Sequence, residues 1–155
     1  MLNISQFRAE IVRPVLVHLG MHSDAAEILI IGTAVQESGL HFLRQNPTGP
    51  ALGVCQMEPA THDDLWQNYL NFRPELTGLV HDFTAPWPEL SAQLVGNLPY
   101  AVAMARVHYW RAPGALPDAT DIEGLGAYWK QYYNTPLGHG TAQQFTDNYQ
   151  TYVKD

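Results

Sequence analysis

A mainly α-helical fold, with at most a small β element, follows from three features of this sequence. Apolar residues recur at helical spacing in successive segments, capping residues stand where those segments begin, and no stretch sustains the strict alternation of a strand. At 155 residues the chain reads as one domain over 1–155, long enough to bury a core.

Asn3 and Gln6 can cap a first helix that carries Ile4, Phe7, Ile11, Val15 and Leu19 on one face. Pro14 should kink or restart it, and Gly20 should end it. Ser23-Asp24 opens a second helix through Ile28, Leu29, Ile30, Ile31, Ala34 and Val35, ending near Gly39. Apolar almost all round, that helix is expected at the centre of the fold. Asn46-Pro47-Thr48-Gly49-Pro50 is a loop. Thr61 is expected to cap a third helix carrying Leu65, Trp66, Tyr69 and Leu70, with Asp63 and Asp64 in its first turn and Arg73-Pro74 as its stop. Thr77 to Pro88 reads as irregular. A long helical stretch from about Glu89 to Trp110 should bend or split at Gly96 and Pro99. Thr120-x-x-Glu123 reads as a capping box for a helix through Ile122, Leu125, Trp129 and Tyr132. Thr141-x-x-Gln144 reads as another, for a last helix with Phe145, Tyr149 and Tyr152.

Composition narrows the function. Hydrophobic residues make up 46% of the chain, with eight tyrosines and four tryptophans, which is the make-up of a folded globule. Fifteen acidic residues against eight basic ones give a net charge of -7, unsuited to neutralising phosphates, so no nucleic-acid partner is expected. The lone Cys55 excludes an internal disulfide and is expected to be a buried thiol. His18 and His22 are separated by Gly20, and His62-Asp63-Asp64 is better explained as the start of a helix. No metal site and no other cofactor is therefore expected. Arg8, Glu10 and Arg13 interrupt the N-terminal helix, so it does not read as a signal peptide. The run from Ile28 to Val35 is too short to cross a bilayer, and membrane insertion is not expected.

Two stretches carry the chemistry. Glu37-Ser38-Gly39 closes the apolar helix, with Glu37 on the face of Ile30 and Thr33. Burying a carboxylate costs several kcal/mol unless it is paired or neutralised, and the usual escape is a raised pKa. A carboxylic acid that keeps its proton near neutral pH is a general acid. The second stretch, Gly53-Val54-Cys55-Gln56-Met57-Glu58-Pro59-Ala60-Thr61, supplies a glycine turn, an amide side chain and a new helix start. Together they read as the wall and floor of an acid-catalysed cleft. Taken alone, Glu37 reads first as a helix-end carboxylate reaching solvent or Arg44, and Ser38-Gly39 can be a plain helix stop; the second stretch is what turns the reading toward chemistry.

In order and content these stretches resemble the signature of the soluble lytic transglycosylases, in the lysozyme-like superfamily that includes the goose-type lysozymes. The family pattern is Glu-Ser, a loop, then Gly-x-x-Gln-x-x-Pro-x-Thr, matched here by Glu37-Ser38, Leu40 to Leu52, and Gly53 to Thr61. A third family element survives weakly in Gly96-Asn97-Leu98-Pro99-Tyr100-Ala101. The fourth, Ala-Tyr-Asn-Ala-Gly, is split between Ala127-Tyr128-Trp129-Lys130 and Tyr133-Asn134-Thr135.

The resemblance implies a lysozyme-like catalytic domain that cleaves the β-1,4 bond between N-acetylmuramic acid and N-acetylglucosamine in peptidoglycan, with Glu37 as the one acid/base. It implies that Ser38 holds or orients Glu37 or helps shape the site beside it, that Gln56 binds sugar acetamido or hydroxyl groups, and that Tyr128 or Tyr133 donates its hydroxyl to Glu37. Met57 and Asn134 would join them as substrate-contacting positions. It also suggests a bacteriophage virion-associated or lysis protein, held in the particle or host cytoplasm and acting at the periplasmic wall after delivery, with other virion proteins as partners. Two alternatives stand beside it. A hydrolytic muramidase or chitinase-like enzyme would share Glu37 and deliver water, with Asp63 or Asp64 as a second carboxylate. A non-catalytic phage structural protein would keep the fold alone.

Overall fold

A computed structural model describes residues 1–135 and 137–154, and its secondary structure is almost entirely helical. Among the described residues β structure is confined to two isolated antiparallel bridges, Arg44 with Leu52 and Leu52 with Met57.

Helix α1 (Ile4–Phe7) is capped by the Asn3 side chain and runs through a π turn (Arg8–Val12) into α2 (Arg13–His18). The α-helical pattern therefore restarts at Arg13, with Pro14 in the first positions of α2, as expected of this proline. The widened turn before it makes room for a residue with no N–H and a bulky ring. Helix α3 (Asp24–Ser38) is capped by Ser23 and ends on Gly39 in the left-handed conformation. Nearly every residue from Ala26 to Val35 is buried, because α2, α7, α8, α9 and the first π turn all pack on it. The central place expected of this helix is the observed one.

Three expectations fail at helix starts. Helix α4 (Pro59–Asn68) begins at Pro59, not after Thr61, and Glu58 occupies its N-cap without a side-chain bond. Proline suits the first helical position, since its missing N–H would have no partner there. Thr61 consequently lies within the first turn without capping it, and Asp63 and Asp64 lie beyond that turn. A short 3-10 turn (Leu70–Phe72) follows, and Pro74 opens α5 (Pro74–His81), whose second half runs into the stretch from Thr77 read as irregular. Asp121, not Thr120, caps α8 (Ile122–Trp129), accepting from the Gly124 N–H at 2.9 Å.

The split of the long helical stretch is observed: α6 (Leu90–Gly96) and α7 (Leu98–Arg111) meet at Asn97, whose side chain caps α7. Helix α8 continues into a π turn (Lys130–Asn134). Helix α9 (Ala142–Asn148) begins with the expected Thr141–Gln144 capping box. It presses Phe145 so closely on α3 that a Cβ at Gly32 would lie 2.3 Å from the ring. No described helix is long and apolar enough to cross a membrane.

Candidate active site

The end of α3 and the loop after it form one wall of a cleft of about 740 Å3. Leu52 and Met57 exchange both backbone hydrogen bonds (2.9 and 3.1 Å), which pinches Gly53 to Gln56 into a tight reversal. Gly53 adopts φ +77 with the Leu94 carbonyl so near that a Cβ would lie 2.0 Å from it, so only glycine fits. Gln56 sits at φ 50, uncommon for a residue with a side chain, and Gly53 accepts from both its N–H (3.0 Å) and its Nε2 (2.8 Å).

Two further bonds hold this reversal against the helices. Ser38 Oγ donates to the Val54 carbonyl at 2.7 Å and accepts from the Leu40 N–H at 3.0 Å, while also lying 3.1 Å from the Ala34 carbonyl. The Tyr133 hydroxyl donates to the Cys55 carbonyl at 2.6 Å. Ser38 thus fastens the loop to α3 and makes no bond to Glu37. Of the two roles expected of Ser38, holding the carboxyl directly is not seen, while the bonds to Val54 and Leu40 shape the loop beside Glu37.

Glu37 lines the cleft and is mostly buried. Burial pushes its carboxyl up to about 7, against the opposing pull of one hydrogen bond from Trp129. That bond runs from the indole Nε1 to Oε1 at 3.0 Å. No described cation pairs with Glu37, and Arg44 instead bridges Leu52 through its backbone. A carboxyl of this kind is divided between its two protonation states near pH 7, which is what a group serving first as acid and then as base requires.

Ser38, Gln56, Met57, Tyr133 and Asn134 all line the same cleft as Glu37. Asn134 is anchored by Lys130, whose Nζ donates to its Oδ1 at 2.7 Å and to the Gly138 carbonyl at 2.9 Å. Tyr128 does not line the cleft. It packs between Tyr109 and Tyr132, with ring centroids 5.8 and 4.6 Å away. Neither Tyr128 nor Tyr133 donates to Glu37; Trp129, the residue after Tyr128, does so. Asp63 and Asp64 are also outside the cleft, Asp63 beside His62 (2.9 Å) and Asp64 paired with Arg111 (2.7 Å). The second carboxylate lining the cleft is Glu58. Its position between Met57 and Pro59 inside the second motif was the available signal, obscured by the expectation that the helix starts later.

Cys55 is buried, and burial together with the nearby Glu37 charge pushes its thiol up to about 12, so it is an inert core group. Among the described residues no three His, Cys, Asp or Glu side chains converge to hold a metal ion. Comparison of the chain with protein-family models, with characterised proteins and with solved structures returns no significant match.

Proposed function

We propose that this protein is a peptidoglycan-cleaving lytic transglycosylase in which Glu37 is the sole acid/base. The observation that carries the reading is a buried carboxyl poised at about 7 in a cleft lined by the amides of Gln56 and Asn134. Glu37 gives its proton to the glycosidic oxygen as the bond from that oxygen to C1 of muramic acid breaks. The acetamido carbonyl of the same sugar shares the positive charge at C1, so no carboxylate nucleophile is required. The Glu37 carboxylate then takes the proton of the 6-hydroxyl while that oxygen bonds to C1. A 1,6-anhydro ring closes and the acid is restored. Delivery in a phage particle, or as a lysis protein, belongs to the same proposal.

One observation favours a second reading. Glu58 lines the same cleft and supplies a carboxylate able to activate water, as a hydrolytic muramidase requires. Digestion of purified sacculi followed by mass spectrometry separates the two. Anhydro-muropeptides support ring closure; products one water heavier support hydrolysis. If wild type releases nothing, or Glu37→Gln releases as much as wild type, the enzyme reading is lost and a structural role takes its place.

A further inference from the structure

The chain that follows Trp129 turns back onto it. Lys130 opens the π turn, and Thr135 ends that turn with φ 72, a left-handed conformation uncommon for a residue with a side chain. The reversal brings Gly138 against Asn134, with the Gly138 N–H donating to the Thr135 carbonyl at 3.1 Å. Lys130 Nζ closes the knot, donating to Asn134 Oδ1 at 2.7 Å and to the Gly138 carbonyl at 2.9 Å. A Cβ at Gly138 would lie 2.5 Å from the Asn134 carbonyl oxygen, so glycine is what allows the approach.

Two residues further on, the same loop meets the indole. A Cβ at Gly140 would lie 2.5 Å from Cη2 of Trp129 and 3.3 Å from its Cζ2. Cζ2 adjoins the ring carbon that carries Nε1, so Gly140 abuts the nitrogen side of the ring. Phe145 stacks on the indole from α9. Face and edge of the ring are therefore both in contact, and withdrawing Gly140 frees the edge next to the N–H.

Lys130 has no direct hold on the acid. Burial and the Trp129 bond govern the Glu37 carboxyl, and the Lys130 ammonium does not act on it. Nor does Lys130 line the cleft. We propose that Lys130 is a positioning residue: it ties the loop through Gly138 and Gly140 to the π turn, and that loop holds the Trp129 N–H on Oε1 of Glu37. This role rests on the reading of Glu37 as the acid/base, and Lys130 serves that group without touching it.

The test follows two NMR signals in the full chain, the Trp129 indole N–H and the Glu37 carboxyl carbon. Lys130→Met keeps a long apolar stem and removes the donor. The indole N–H should then exchange with solvent roughly tenfold faster. The Glu37 pKa should rise by roughly half a unit to one unit, part of the rise expected when the N–H is removed outright. Loss of a nearby positive charge would raise that pKa too, so the sign alone is not enough. Trp129→Phe separates the two causes. On that background Lys130→Met should leave the Glu37 pKa unchanged, because the path through the indole is gone. Gly140→Ala leaves Lys130 in place and drives a methyl group into the indole edge, so it should raise the pKa as Lys130→Met does. It also carries the comparison if Lys130→Met fails to fold by thermal melting. An unmoved Glu37 pKa in the folded variants overturns the positioning role, and so does a shift of equal size with and without the indole N–H. Sacculus digestion reads the enzyme separately. Intact sacculi with the expected shifts remove the enzyme reading alone; digestion by wild type with unmoved shifts removes the positioning role alone.

Discussion

The indole nitrogen of Trp129 donates to Oε1 of Glu37 at 3.0 Å, from a ring that is fully buried and stacked on Phe145 at 5.8 Å. An indole N–H only donates, so it commits Oε1 to accepting. The carbonyl form of Oε1 is the better acceptor, so the bond favours the proton of the neutral acid on Oε2, which has no partner among the described residues. A tyrosine in this place would permit both directions of donation; Trp129 permits one. Phe145 is itself wedged against Gly32, so α3 supports both ends of the arrangement.

Trp129→Phe keeps an aromatic ring and removes only the donor. The bond favours the carboxylate, so its loss should raise the Glu37 pKa above about 7. A hydrogen bond to a charged group contributes about 1.5–3 kcal/mol, or roughly one to two pKa units. Titration of the Glu37 carboxyl carbon by NMR reads this directly. In activity, the alkaline limb of the pH profile should move upward while the maximal rate falls about tenfold, because the proton is no longer favoured on one oxygen. An unmoved alkaline limb would mean that the bond only packs the core.

Glu37 should also cost stability as it ionises. Its folded pKa is about 7 against an unfolded value near 4.5, so the folded state holds the proton more tightly. Stability is then greatest below the unfolded value and declines as pH rises toward 7, by about 3 kcal/mol in all. Urea unfolding of wild type at pH 5 and pH 8 measures the decline. Glu37→Gln should abolish that part of it and leave the variant more stable than wild type at pH 8, although inactive.

The sequence made the central helix legible because its apolar run leaves no exposed face, and made the cleft legible because Glu37 and the Gly53–Thr61 stretch flank one loop. What it hid was orientation. Tyr128, Trp129 and Tyr133 are all aromatic neighbours on α8 and the π turn after it, and only the fold decides which of them meets Glu37. The π turn shifts the angular register past Trp129, so counting at 3.6 residues per turn does not reproduce it. At Pro59 and Pro74 the error was of another kind. Both prolines begin helices, and reading Thr61 as a cap or Arg73-Pro74 as a stop overlooks that preference.

Ser38→Ala tests whether this serine acts on the loop or on the acid. Removing Oγ leaves the Val54 carbonyl and the Leu40 N–H without partners in a buried setting, which should destabilise the fold by about 1–3 kcal/mol. Amide exchange should rise at Val54 to Met57. The Glu37 pKa should stay where it is, since no bond joins the two side chains. A shift in that pKa without loosening of the loop would reverse the assignment.

The other glutamate of α3 completes the pH argument with the opposite sign. Glu27 is fully buried, yet its carboxyl is held down at about 2. Burial alone would raise it; hydrogen bonds from Arg13, Arg8 and His22 outweigh that penalty. Arg13 contributes at 2.7 and 3.1 Å and His22 at 2.8 Å. Glu27→Gln should destabilise the protein at pH 7 by about 2–3 kcal/mol, less than a wholly buried pair because the arginine side chains are 35% and 51% exposed. The Glu27 contribution is present above the unfolded value near 4.5 and is lost as pH falls toward about 2. Stability therefore falls on the acid side through Glu27 and on the alkaline side through Glu37. Wild type should be most stable near pH 5, between the two. Glu27→Gln should flatten only the acid limb and Glu37→Gln only the alkaline one, as measured by urea midpoints across pH 3 to 8. A maximum that stays put with both limbs unchanged in both variants would refute the two assignments.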